Sequence, residues 1–140
     1  RLASTLVVAE HDNKSLNGST LSAVAAAQKI GGDVSLLVIG NGSSEVASAA
    51  ASVDGVSKVL HIDNPTYEKW VGENICEAVA ATQKAGGFSH VVTVASKKGQ
   101  NFLGRLGAVL DCNPLPDIVQ VVDEETFVRP MYAGNAMATV

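Results

Sequence analysis

Apolar residues in this chain fall into two alternating patterns. Residues 5–10 (TLVVAE), 33–40 (DVSLLVIG), 57–63 (SKVLHID) and 90–96 (HVVTVAS) are short runs rich in β-branched side chains and bounded by turn formers, which predicts strands. Between them the apolar positions recur every three or four residues, the spacing of a helix with one buried face. In residues 16–32, Leu21, Val24, Ala25 and Ala27 follow that spacing, Ser19 or Asn17 can cap the start and Gly31 stops it. Residues 43–55 predict a shorter helix capped by Ser43 or Ser44 and ended at Gly55. Residues 64–87 predict a long one, with Asn64 as N-cap, Pro65 at the first helical position, a stripe of Val71, Ile75, Ala78, Val79 and Thr82, and an end at Gly86. A fourth follows Gly99 with Phe102, Leu103, Leu106, Val109 and Leu110 as its apolar side, until residues 111–116 (DCNPLP) break it.

From Asp117 onward no helix pattern intervenes. DIVQVV, an acidic turn at residues 123–125 and the closing TFVRPMYAGNAMATV read as a β meander ending in an antiparallel hairpin. Gly134-Asn135 is expected to form a two-residue primed turn, and Pro130 marks an edge or bulged strand because it cannot donate to a ladder. Strands alternating with helices give an α/β class: a parallel sheet flanked by helices on both faces, Rossmann-like in topology, in one domain spanning residues 1–140.

Composition narrows the class. Apolar residues make up 46% of the chain and aromatic ones 4%, so Val, Leu, Ile and Ala must build the interior, as in sheets buried on both faces. A net charge of -4 argues against nucleic acid. No apolar run approaches the roughly 20 residues of a membrane span, so a soluble protein is expected. Cys76 and Cys112 are far apart and lack CxxC spacing, which predicts reduced thiols, both small core residues, in an intracellular protein. The chain begins with Arg1 and stops at Val140 within a strand pattern; both ends read as cuts, the first as a removed leader and the second as a severed connection.

Ligands of open parallel sheets sit at the carboxyl ends of the strands. The loop there at Gly40–Glu45 (GNGSSE) opens like a glycine-rich phosphate cradle, but Glu45 stands where the third glycine belongs, and a turn plus helix cap is the better reading. The loop after the first strand clusters Glu10, His11, Asp12 and Lys14; His11 can titrate near neutrality, yet no nucleophile has a base beside it. Ser96, Lys97, Lys98, Gly99 and Gln100 precede a helix and form the strongest anion-site candidate, against the plain reading of a solvated turn. His11, His61 and His90 show no metal spacing, and His61, within an apolar run, is expected to be a buried, satisfied imidazole. Asp123, Glu124 and Glu125 read as a solvated turn. No catalytic, cofactor-binding or metal-binding residue is assigned.

As a whole, LVVAEHDNKSLNGSTLSAVAAAQKIGGDVSLLVIG, DGVSKVL, GQNFLGRLGAVLD and PLPDIVQVVDEETFVRPMYAGNAMATV resemble, in order and spacing, the amino-terminal domain of electron transfer flavoprotein alpha subunits. The pairing of AEHDN with a distant TFVRPMYAGNA carries the resemblance, which covers essentially the whole chain. Gly99, Asn101, Leu103 and Arg105 match the family pattern; Lys97, Lys98, Gln100 and Gly104 depart from it.

The resemblance implies an electron carrier, not an enzyme. It implies a heterodimer with a beta subunit and one FAD, held mainly by a carboxyl-terminal alpha domain that this chain lacks, so FAD is expected to be absent from these residues. The expected partners of the full complex are acyl-CoA and related dehydrogenases of fatty acid beta-oxidation and a quinone oxidoreductase. The domain itself is expected to have the nucleotide alpha hydrolase fold and to pack against beta as part of the base for the flavin domain. The mitochondrial matrix is expected for a eukaryotic member, favoured here, and the cytoplasm for a bacterial one. The alternative from residues alone is a small nucleotide-binding module using the loops after the first and fourth strands.

Overall fold

A computed structural model describes residues 3–140; Arg1 and Leu2, and with them the reading of the amino-terminal cut, lie outside the described residues. The elements run β1 (Ser4–Val8), α1 (Ser19–Ile30), β2 (Asp33–Gly40), α2 (Ser44–Ala51), β3 (Lys58–Asp63), α3 (Gly72–Gly86), β4 (His90–Val92), α4 (Lys97–Val109), β5 (Gln120–Val121), β6 (Phe127–Met131) and β7 (Ala136–Thr139). β1 to β4 pair in parallel in the order β3-β2-β1-β4, and β5, β6 and β7 form a separate antiparallel sheet.

Alternation along the two central strands builds the core on both faces. Leu6, Val8, Leu37 and Ile39 meet α3 and α4 through Ile75, Val79, Phe102 and Leu106. Val7, Ala9, Leu36 and Val38 point the other way, onto Ala23, Val24 and Ala27 of α1 and Val46 and Ala50 of α2. Each fully buried aliphatic side chain contributes about 1.5–3 kcal/mol, which is why the continuous apolar runs of β1 and β2 fix them at the centre.

Several expectations need correction. The start signal at Asn64 is real, since its side chain accepts the Thr66 N–H at 3.0 Å, but it opens only a single 3-10 turn, Pro65–Tyr67. The chain then passes through Trp70 in the left-handed region (φ 49) before α3 begins at Gly72, leaving Val71 exposed instead of on the buried stripe. β4 stops at Val92, because residues 93–96 turn away to place the Val94 carbonyl under α4. There an added Cβ on Gly99 would lie 2.0 Å from the Val94 oxygen, so the helix start can approach only as glycine. On α1, Leu21 and Ala25 face solvent and Thr20 lies inside, tied to the Glu10 backbone through its hydroxyl. On α4, Val109 is exposed past the last buried turn. Cys76 is buried, and burial raises its thiol pKa; Cys112 is exposed, because the chain has already left α4 there.

The hairpin also differs in detail. Met131 pairs with Ala136, so the turn has four residues, with Tyr132, Ala133 and Gly134 at φ 53, 54 and 88, and not the two-residue Gly134-Asn135 turn. That register is two residues from the expected one, so every side chain keeps its face. It also pairs Phe127 with Val140 through two 2.8 Å bonds. β6 is the middle strand, not an edge. Pro130 is tolerated because β5 pairs only as far along β6 as Val128, beyond which no ladder asks for the missing N–H.

Candidate functional site

The strand order places a switch point between β1 and β4, where consecutive crossovers depart in opposite directions and ligands of such sheets bind. Four loops converge on that end, and their polar groups are largely turned to each other.

His11 is the hub. Its ring lies 2.7 Å from the Ile39 carbonyl through Nε2, and its Nδ1 accepts the Asn13 N–H at 3.0 Å, so the neutral Nε2–H tautomer satisfies both nitrogens. Burial lowers its pKa below 6.5, opposed by the bond to Ile39. With both nitrogens committed, His11 bolts the first loop to β2 and leaves no lone pair for general-base work. Asp12 accepts the N–H groups of Lys14 and Ser15 at 2.9 and 2.7 Å, which hold its carboxyl below the usual range, and Lys14 is exposed. Glu10 receives the Ser19 hydroxyl at 3.4 Å. The clustered loop of the sequence is thus a self-bonded turn.

The glycine-rich loop is closed in a comparable way. The Gly42 N–H, the kind of donor a phosphate would use, donates to the Asp63 carboxylate at 2.7 Å. A Cβ on Gly40 would stand 2.7 Å from Asn13 Oδ1 and 2.8 Å from the His11 ring, so the loops are packed together there. Ser43, fully buried, spends its hydroxyl on His61 Nε2 at 2.8 Å and not on capping α2. His61 itself is exposed, because β3 is a sheet edge, so it is satisfied but not buried.

Trp70 fills the switch crevice itself. Its ring meets His11 edge-on at 6.3 Å and Phe102 at 6.4 Å, and between Trp70, Phe102, Val94 and Lys98 only about 10 Å3 remains, room for one water. Ligand pockets run to roughly 300–1,000 Å3. Outside the plug lies an open groove of about 560 Å3 lined by Lys69, Trp70, Lys97, Lys98, Gln100 and Asn101. The sequence had marked Lys97, Lys98 and Gln100. Ser96 instead caps α4, accepting the Gly99 N–H at 3.2 Å. Lys69 and Trp70 were missed, because residues 64–87 read as one helix; the Val71-Gly72 step after an aromatic was the available signal.

The other candidates lie elsewhere. His90, at the amino end of β4, spans Ser89 Oγ at 2.7 Å and the Glu124 carbonyl at 2.6 Å, fastening the parallel sheet to the 123–125 turn. That turn is exposed, with Asp123 accepting the Glu125 N–H at 2.9 Å, a bond that lowers its carboxyl pKa. Among the described residues no group of three or more His, Cys, Asp or Glu could hold a metal ion, and no helix is long and apolar enough to cross a membrane.

An electron transfer flavoprotein domain model matches residues 5–140, nearly the whole chain and both of its sheets. The chain belongs to the electron transfer flavoprotein family. Its relatives include the electron transfer flavoprotein subunit alpha of Pseudomonas aeruginosa, 50% identical over 135 residues, covering 96% of this chain and 43% of the relative. The mitochondrial alpha subunits of Dictyostelium discoideum and Arabidopsis thaliana are 42% and 40% identical, covering 96% and 100% of this chain and 40% of each relative. The chain therefore spans about two fifths of the length of these relatives. The carboxyl end of its sheet does not fit the flavin its family name implies. The crevice is filled by Trp70, and the Gly42 donor already holds a carboxylate.

Proposed function

We propose that the chain is the amino-terminal domain of an electron transfer flavoprotein alpha subunit and serves as a scaffold without catalysis of its own. It packs against the beta subunit and supports the domain that carries FAD, which these residues do not bind. In the full complex, electrons pass from acyl-CoA and related dehydrogenases through that FAD to a quinone oxidoreductase. The compartment follows origin, the mitochondrial matrix in a eukaryote and the cytoplasm in a bacterium.

The observation that carries this reading is the family match across residues 5–140 together with relatives named as alpha subunits. The three-stranded sheet supports it. Met137 is 63% exposed on one face of it and Met131 41% exposed on the other, apolar side chains left open to a subunit contact. The plugged crevice weighs against the nucleotide-module alternative, since a mononucleotide would have to displace Trp70.

The test is co-expression of a full-length subunit carrying this domain with beta. A stable yellow heterodimer is expected, with the 140 residues alone colourless. A full-length subunit that stays monomeric and colourless with beta and FAD present overturns the reading.

A further inference from the structure

Three of the ten cationic residues of this acidic chain, Lys69, Lys97 and Lys98, meet around the open groove of about 560 Å3, and no carboxylate lines it. Glu68 and Glu73 are close in sequence but outside the lining. The arrangement runs against local preference. α4 opens on Lys97-Lys98 with no acidic residue in its first turn, although the N–H groups of a helix start disfavour cations.

The positive charge is also held in place. Lys98 Nζ stands 5.8 Å over the Trp70 ring and donates to the His11 carbonyl at 3.5 Å, while Trp70 Nε1 donates to the Lys98 carbonyl at 3.4 Å. Trp70 keeps a left-handed backbone to do this, a conformation costly for a bulky residue. A framework reaching back to buried His11 therefore fixes Lys98 at the groove, beside the exposed Lys69 and Lys97.

We propose that this groove docks an acidic, carboxylate-rich polypeptide segment of a partner protein. The surface lies at the carboxyl end of the parallel sheet, whereas the β5–β7 sheet is fastened at the amino end through His90, so the inference does not rest on the subunit contact proposed above. Openness selects the class of ligand. A lone small anion in an open groove keeps most of its water and is screened over about 8–10 Å. Several carboxylates along one segment meet three ammonium groups together. A positive face on a molecule of net charge -4 also orients an acidic partner during encounter.

Trp70 is the sole tryptophan of the 140 residues and reports on the groove directly. A capped hexaglutamate peptide is titrated at low salt while Trp70 emission is followed, with inorganic phosphate and AMP as parallel arms. The expected result is saturable binding of the peptide that weakens at least tenfold in the double variant Lys69→Gln, Lys97→Gln and with added salt. It should stay unchanged in the control Lys29→Gln, Lys84→Gln. All four lysines are exposed and folding is checked by circular dichroism. No saturable response to the peptide, equal binding by both double variants, or tighter binding of phosphate or AMP than of the peptide would each overturn the proposal.

Discussion

β2 and β7 share extended backbone and little else. Seven of the eight residues of β2 are buried, between β1 and β3 and under helices on both faces. Of the four residues of β7, three are exposed and none is buried, and one side of the strand has no neighbour among the described residues. The parallel sheet completes its own core. The outer strand of the antiparallel sheet, β7, has its ladder but lacks cover, so its side chains add little to the stability of the isolated domain and remain available to something else.

Removing side chains tests that contrast most strongly. Leu37→Ala, at a site with no exposure, is expected to lower the unfolding free energy by about 3 kcal/mol, from lost burial plus the cavity left behind. Met137→Ala is expected to change it by less than about 0.5 kcal/mol. Urea unfolding of the two variants measures both, and comparable losses would break the comparison. The next effect in size belongs to the junction between β4 and α4. Gly99→Ala forces a Cβ to within 2.0 Å of the Val94 carbonyl, so the helix start must shift at a cost of about 1–3 kcal/mol. Because Lys98 sits over Trp70, Trp70 emission should move with it; unchanged stability and emission would show that the approach is loose.

The same contrast governs what could be read from the sequence. β1, β2 and the buried stripe of α3 were legible because continuous apolar runs and helical spacing leave one way to hide their side chains. Residues 64–71 were not: Asn64 and Pro65 give a strong helix start, but it is used for one turn, and the packing of Trp70 between His11 and Phe102 outweighs local propensity. Half of the candidate groove was visible in Lys97, Lys98 and Gln100, since adjacent lysines before a helix stand out. Asn101 follows them directly, but Lys69 and Trp70 arrive from 27 or more positions earlier, through tertiary contacts no local pattern encodes. His61 and Pro130 were misplaced for one reason: whether a strand lies at an edge is decided by the whole sheet.

A pH series sharpens the picture on the buried side. Burial holds the folded pKa of His11 below the unfolded 6.5, so the neutral ring is favoured in the folded state. The stability it contributes is complete above pH 6.5 and is lost as pH falls through the lower folded value. Protonation would also set Nδ1–H against the Asn13 N–H it now accepts. The melting temperature is expected to fall more steeply between pH 7 and pH 5 for the parent chain than for His11→Gln. Equal slopes would mean that the ring reaches water without opening the loop.

The smallest expected change in stability is the most informative about the other sheet. By the alternation of an antiparallel ladder, with Phe127 and Val140 exchanging both bonds, the N–H groups of Met137 and Thr139 point away from β6. Met137 is 63% exposed, so Met137→Lys should leave the unfolding free energy within about 0.5 kcal/mol. If the sheet receives the beta subunit, the same variant in a full-length subunit should weaken assembly at least tenfold, because an ammonium group would be driven into an apolar contact. Hydrogen exchange separates the two effects: the Met137 and Thr139 amides should exchange rapidly in the isolated domain and become protected in the heterodimer, while the amides of β2 stay protected in both. Protection of β7 that does not change on assembly would mean that the uncovered sheet is not where the subunits meet.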